Sequence, residues 1–502
     1  TNLQKLYLQQ NHISDLSPLV ELTNLRWLDI NYNPISYESM LLSQSWSLPW
    51  STNEYNPLSP CYPVPNRNAV NVSTNYDLSW QGNYYYSQDV SYEVWLGVNP
   101  YSLGYQGFVT QMVNVTEHLY SFTPMLEPLT QYYWRIKAIA TTDTIWSGMW
   151  NFTTGIQEFA GGDGTETNPF QVATAEQLNN VRNHLTSYFI QIANIDLGVS
   201  PWNEGEGWVP IGNDSTYFAG NYNGNGYYIS NLQINRSTTG YQGLFGFANN
   251  AKLINIKINN IAISGYNYVG GLVGKTINSY IADCSNQGII SASSCFVGGI
   301  IGLSWNFTTI EKCNYNGTVT GTYCGGITGQ ATHWCLIIDC YSTGIVSGDN
   351  ALGGIVGINW GNVQRSFSSA TISASAIAGG IVGVSYGNSS INDCFSKGII
   401  NGFSDIGGVA GFMDTYTSMS NCYSTSIVTG TNEVGGLIGG SATININNSY
   451  WNVDSSGQYA SVVGESRTTA DMVYPYSDST YVNWDWDNIW AADLDHNIND
   501  GY

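Results

Sequence analysis

A block of the form Gly-Gly-aliphatic-x-Gly recurs at Gly270, Gly298, Gly325, Gly353, Gly379, Gly407 and Gly435, at intervals of 28, 27, 28, 26, 28 and 28 residues. A degenerate copy, Gln242-Gly-Leu-Phe-Gly246, lies another 28 residues upstream. Self-similarity at such a period identifies a solenoid. A second column precedes the glycine pairs by about 13 residues: Cys284, Cys313, Cys340, Ser366, Cys394 and Cys422. Each is followed six residues later by an aliphatic residue, Ile290, Val319, Val346, Ile372, Ile400 and Val428. Aliphatics recurring in one place with period-2 alternation around them predict stacked strands. Helical repeats are excluded, because no unit carries a helix-length apolar pattern and each has glycine at its centre. The spacing predicts an all-β fold, a right-handed parallel β-helix of about eight coils of ~28 residues, stacked at ~4.8 Å and ending in capping segments.

Composition agrees with strands and turns. Only 10% of the 502 residues are charged, while Gly (55), Tyr (36) and Trp (17) are abundant. The net charge is −22 with no cluster of Lys or Arg, which excludes nucleic acid as a partner. No apolar run is long enough to cross a membrane, so no membrane insertion is expected within this sequence.

Two further repeat types precede the glycine blocks. Thr1-Asn-Leu3-x-x-Leu6-x-Leu8-x-x-Asn11-x-Ile13 returns as Thr23-Asn-Leu25-x-x-Leu28-x-Ile30-x-x-Asn33-x-Ile35, a leucine-rich-repeat period of 22. Fewer than two complete repeats cannot bury their own faces, so further repeats are expected before Thr1. Residues 41–61 lose all period and read as a linker. From 62 to 155, short strand-like runs such as Tyr76 to Trp80, Val90 to Val98 and Tyr132 to Ala140 predict a β-sandwich.

Three resemblances follow from these motifs. Asp15-Leu-Ser-Pro18-Leu between the leucine-rich copies resembles internalin-type surface proteins. Leu78-Ser-Trp80 and Leu126-x-Pro-x-Thr-x-Tyr132-Tyr-Trp-Arg-Ile-Lys-Ala138 resemble a fibronectin type III domain, with Tyr132 at the tyrosine corner. The glycine blocks resemble the GLUG motif of bacterial cell-surface proteins. Residues 156–240 are similar to that family's entry segment, in which Thr174 is expected to cap a short helix over the open end of the core. Residues 451–502 resemble its exit segment, cut short at Tyr502. The resemblances imply an end of a leucine-rich-repeat solenoid (1–40), a linker (41–61), a fibronectin-like sandwich (62–155), an entry and cap segment (156–240), a GLUG-repeat β-helix (241–450) and a C-terminal segment (451–502).

Stacked cysteines keep their β carbons about 4.8 Å apart, further than the roughly 3.5–4.5 Å a disulfide needs, so buried free thiols are expected. Asp283, Lys312, Asp339, Arg365, Asp393 and Asn421 precede that column and read as an outward ladder of alternating charge. No paired carboxylates without an intervening base are evident on neighbouring coils. The five histidines form no His-Glu-x-x-His, and no Gly-x-Ser-x-Gly elbow or phosphate loop occurs. The expectation is no enzyme, no catalytic residue, no metal and no cofactor.

Aromatic residues fall in two sets. Trp305, Trp334, Trp360, Tyr386 and Tyr416 follow the glycine block, and Tyr341, Phe367, Phe395, Tyr423 and Tyr450 follow the cysteine column. The first set is the candidate ligand-binding stripe, because flat rings at regular spacing suit sugar rings or protein contacts; mutual stacking is the structural alternative. Nine sequons are candidates for glycosylation: Asn71, Asn114, Asn151, Asn213, Asn235, Asn306, Asn316, Asn388 and Asn447. The expected function is a secreted or surface-attached adhesion protein whose stalk contacts an extracellular glycan or protein. The alternatives are a structural subunit that self-associates into an extracellular filament, and a polysaccharide-active β-helix enzyme.

Overall fold

The computed structural model describes residues 3–8, 19, 22, 24, 26–29, 60–72, 74, 76–81, 90–110, 117–120, 126–139, 144–155, 158–496 and 499–502. The chain divides into two compact units, Thr1–Glu158 and Phe159–Tyr502.

In the first unit Lys5–Tyr7 and Trp27–Asp29 pair in parallel, Leu6 opposite Leu28, which matches the 22-residue period. Most of the remaining leucine-rich positions, and residues 41–59 of the expected linker, lie outside the described residues. Residues 61 to 154 form two sheets. One runs Ala69–Val72, Trp150–Thr154, Gln131–Ile139, Ser91–Gly97, Gly104–Thr110, and the other Cys61–Val64, Leu78–Gln81, Glu117–Tyr120. Alternation places Leu78 and Trp80 from one sheet against Tyr92, Val94, Trp134 and Ile136 from the other, all buried. The Tyr132 hydroxyl accepts a 2.9 Å bond from the Glu127 amide, five residues back, as a tyrosine corner does.

The second unit is a parallel β-solenoid. Four sheets of 11, 15, 8 and 7 strands build it; the first two begin in the entry segment, at Phe170 and Ile195, and the eight-stranded sheet carries one strand per coil from Phe245–Asn249 to Ile438–Ser441. One core fills the interior from Phe159 to Trp451. Rows of Leu253, Ile281, Ile310, Ile337, Val363 and Ile391 pair in direct register along the 11-stranded sheet.

The glycine block answers a steric demand. A β carbon on the first glycine would lie 2.0 Å from a backbone carbonyl at Gly298, Gly325, Gly353 and Gly379. On the second it would strike the inward side chain of the facing strand: Tyr315 at Gly299, Ser342 at Gly326, Ser368 at Gly354 and Ser396 at Gly380. None of these glycines has a positive φ, so close approach and not turn conformation demands them.

The left-handed conformation occurs elsewhere. Asn255, Asp283, Lys312, Asp339, Arg365, Asp393, Asn421 and Asn448 all have φ between 45° and 56°. The expected charge ladder is therefore a column of corners between two sheets. Arg365 grips Asp339 through two bonds of 2.7 and 2.8 Å, and Asn421 donates to Asp393 at 3.0 Å.

Just inside those corners stands the thiol and hydroxyl column. The sulfurs of Cys284, Cys313, Cys340, Cys394 and Cys422 lie 3.1–3.2 Å from the carbonyl two residues back. The Cys313 amide donates to Cys340 Sγ (3.4 Å), that of Cys340 to Ser366 Oγ (3.1 Å) and that of Cys422 to Ser449 Oγ (3.2 Å). Smallness is thus half the requirement; the residue must also accept a hydrogen bond from the coil before it. All eight cysteines of this unit are free thiols.

Both ends carry local signals. Thr174 caps Ala175–Asn180, accepting from the Gln177 amide at 3.2 Å, and Leu178 joins the core with Phe159 and Phe189. At the other end Thr468 and Asp471 form a capping box on the turn Thr469–Met472.

Ser366→Val leaves the buried Cys340 amide without its acceptor and is expected to lower stability by about 1–3 kcal/mol in denaturant melts, whereas Ser366→Cys stays near the parent. Gly380→Ala is expected to cost about as much through overpacking, and an unchanged midpoint would disprove the steric account.

Candidate functional site

The strands of the eight-stranded sheet end in turns that lead to the next coil. Backbone bonds fix their register: the amides of Thr332, Trp360, Tyr386, Asp414 and Ala442 donate to Ser304, Ala331, Asn359, Ser385 and Met413 of the preceding coil. With Ser304 opposite Ala331, Trp305 shares that position. The turn from Asn359 to Gly361 is two residues shorter than those from Ala331 to Cys335 and Ser385 to Ser389, which accounts for the interval of 26 residues between Gly353 and Gly379.

The expected stripe therefore splits. Trp305, Trp360 and Tyr386 occupy the ladder position, while Trp334 and Tyr416, both at φ 67°, stand two residues further on at the tips of the longer turns. Trp360 stacks on Tyr386 at 4.9 Å between centroids, and His333 tilts against its other side at 5.1 Å. Trp334 lies nearly parallel to Phe307 at 6.2 Å. Exposure divides them differently: Trp305 is 42% exposed, Phe307 67%, Trp334 69% and Tyr416 78%, whereas Trp360 and Tyr386, which share the ladder position of Trp305, are half-buried. The Lys275 ammonium sits over the rings of both Phe247 (5.1 Å) and Trp305 (5.7 Å), extending the edge by a cation–π bridge. Burial lowers its pKa. Sequence reasoning missed Phe307 and Lys275, although Phe307 stands inside the sequon of Asn306.

The second aromatic set forms one ladder. Tyr341, Phe367, Phe395 and Tyr423 stack with centroids 5.1, 4.9 and 5.1 Å apart and planes within 8°. Its lower end is covered by the C-terminal segment, where Tyr481 and Trp484 pack on Tyr423 and Tyr450. Nothing in the repeat pattern pointed to this cover. A third ladder, Tyr241, Tyr268, Phe296 and Tyr323, runs along the corner ahead of the glycine pairs at 5.2–5.8 Å. A ring stacked on both sides offers a ligand only its edge, so the inner rings of these ladders hold coils together. Free ring faces belong to the turn tips.

The carboxylate expectation needs correcting. The register Ser404↔Asn432 and Ile406↔Val434 sets Asp405 beside Glu433 on the next coil, both in left-handed corners and with no base between them. A hydrogen bond with Asp405, reinforced by its charge, raises the Glu433 pKa above the ordinary carboxylate value. Among the described residues, no group of three or more His, Cys, Asp or Glu is placed to hold a metal ion.

Of the sequon asparagines, Asn213, Asn235, Asn316, Asn388 and Asn447 are exposed, and Asn151 and Asn306 are half-buried. Asn71 lies in a strand, and Asn114 falls outside the described residues.

Residues 1–40 match the family described as Leucine Rich repeats (2 copies). Over 146 residues, 28% of this chain, the sequence is 38% identical to a "Putative Gly-rich membrane protein" of Evansella cellulosilytica, of which the match covers 16%. It is 34% identical over 149 residues to the Halomucin of Haloquadratum walsbyi, covering 2% of that protein. The chain thus spans a small part of the curated relatives it matches. Among solved structures it is similar to a putative immunoglobulin A1 protease from Bacteroides ovatus, with a TM-score of 0.43 at 19% identity, covering 58% of this chain and 87% of that one. An "IgA1 Protease" gives 0.41 at 14% identity, covering 80% of this chain and 33% of that one. Two similar structures bear an enzyme's name, and the expectation that the chain is not an enzyme is withdrawn; no catalytic residue is carried over at these identities.

The acid pair gives a pH prediction. Glu433 binds its proton more tightly in the folded chain, so stability falls as pH rises through the carboxylate range. Asp405→Asn is expected to raise the melting temperature at neutral pH, the gain vanishing on acidification. Parallel melting curves of the two proteins across that range would overturn the pairing.

Proposed function

We propose that the chain belongs to a secreted or surface-attached binding protein, in which the solenoid is a rigid stalk that presents its aromatic turn edge to an extracellular glycan or protein. The observation that carries this is the exposure of Trp305, Phe307, Trp334 and Tyr416 on one edge of a molecule that stacks most of its other solenoid rings. Aromatic area left in water on a regular scaffold is the mark of a contact surface. Turns supply it and strands fix it, so the rings are held apart at positions set by the coil register.

The other modules fit the same role. Residues 1–40 act as the end of a leucine-rich recognition solenoid, and 62–155 as a fibronectin type III-like spacer, a reading supported by the Tyr132 corner. Residues 156–240, 241–450 and 451–502 serve as entry, GLUG-type repeat body and exit of the stalk. A relative named as a membrane protein favours placement at the cell surface, and the exposed sequons of Asn213, Asn388 and Asn447, which lie off the 15-stranded sheet, leave room for glycan attachment.

A glycan array probed with the whole chain tests the proposal. Trp305→Ala and Trp334→Ala are each expected to weaken binding about tenfold, corresponding to roughly 1.4 kcal/mol per ring. Trp360→Ala, which removes a stacked ring, is expected to act mainly on stability. Full binding by the Trp305→Ala/Trp334→Ala double variant would sink the aromatic edge as the site.

A further inference from the structure

A different face of the solenoid carries a second regularity. On the outer side of the 15-stranded sheet, Ile289, Thr318, Ile345, Thr371, Ile399 and Ile427 stand directly above one another, each paired with the next in unbroken register. Two residues further along each strand, Ser291, Thr320, Ser347, Ser373, Asn401 and Thr429 form a parallel column in the same register. The result is a grid with a repeat of about 4.8 Å between coils and about 6.6 Å along the strands.

The chemistry of the grid is uniform. All twelve positions are aliphatic, hydroxyl or amide, and none is charged, on a chain whose net charge is −22. The isoleucines lie in water: Ile289 is 61% exposed, Ile345 46%, Ile399 42% and Ile427 48%. Coil stacking does not require this, because the inward residues between the columns, Ile290, Val319, Val346 and Ile372, already fill the core. Ile and Thr are stiff at χ1, so methyl and hydroxyl groups stand in fixed places before any ligand arrives. The hydroxyls of Thr320 and Ser347 lie 3.0 Å apart across neighbouring coils.

We propose that this face binds ice, the periodic surface of crystalline water. A rigid grid of methyls orders the water above it, and the adjoining hydroxyls hydrogen-bond to that water, so an ordered layer forms with the repeat of the coils. Charge selects among periodic partners. An uncharged grid matches an uncharged lattice, whereas an ionic mineral calls for rows of carboxylate or ammonium groups. Crystalline polysaccharide calls for open aromatic faces, and these lie on the turn edge and outside the grid.

The test uses the whole purified chain, partitioned into a slowly growing ice front and followed by freezing hysteresis. Enrichment in the ice and faceted crystal growth are expected. Ile345→Arg and Thr371→Arg, central in the grid and directed outward, are each expected to reduce both at least about tenfold. The Thr320→Val/Thr371→Val double variant keeps strand preference and shape while removing two hydroxyls, and is expected to lose part of the effect without any change in melting. Trp334→Ala is expected to retain full ice binding, which separates this face from the aromatic edge. Exclusion of the chain from ice, or equal enrichment of the arginine variants, would overturn the proposal. So would binding to crystalline cellulose, lost in the same variants, with no partition into ice.

Discussion

The solenoid depends on how closely two backbones can approach. Successive coils hydrogen-bond strand to strand along all four sheets, and at the glycine block the approach is limited by a single β carbon. The first glycine of each pair stands where any side chain would meet a carbonyl, and the second faces the inward side chain across the coil. That narrow waist explains why the facing position holds serine in Ser342, Ser368, Ser396 and Ser424, each accommodated by the glycine opposite. Larger residues enter only with special provision, as with Tyr315, whose hydroxyl bonds to Gly288 and Thr318.

Polar columns complete what packing begins. The corner between the 11- and 15-stranded sheets turns through a left-handed residue in every repeat, and the thiol or hydroxyl beside it accepts an amide that the corner leaves otherwise unpaired. Asn, Asp, Lys and Arg all occupy the corner, because the outward side chain is free to vary once the backbone is held. The bidentate Arg365–Asp339 pair is exposed and adds only a little to stability.

Repeat spacing made the body of the fold legible. Glycine intervals fixed the coil length, the cysteine column marked a buried row of free thiols, and Thr174 announced the capped helix. What remained hidden depended on turn length. Trp305, Trp360 and Tyr386 follow the glycine block by three residues and Trp334 and Tyr416 by five; all five were expected to form one stripe, and only the turns reveal that the two offsets are a ladder position and a turn tip. Asp405 and Glu433 were missed for a simpler reason. They stand two residues ahead of their glycine pairs, in a column that begins with Tyr268, Phe296 and Tyr323, and its change from aromatic to acidic concealed its continuity. The covering of Tyr423 and Tyr450 by Tyr481 and Trp484 is a long-range contact outside the repeat, which no periodicity can announce.

The short turn at Trp360 has a wider meaning. It removes two residues from a coil, yet the strands on either side of it, Val356–Asn359 and Asn362–Gln364, keep their register with the coils above and below. The turns of this edge absorb that difference, and the same edge displays the exposed rings of Trp305, Phe307, Trp334 and Tyr416. Insertions, deletions and substitutions there can accumulate without disturbing the ladders that hold the stack. Architecture and surface chemistry are in that sense separately heritable: a lineage can diversify what the edge displays while inheriting the rod unchanged.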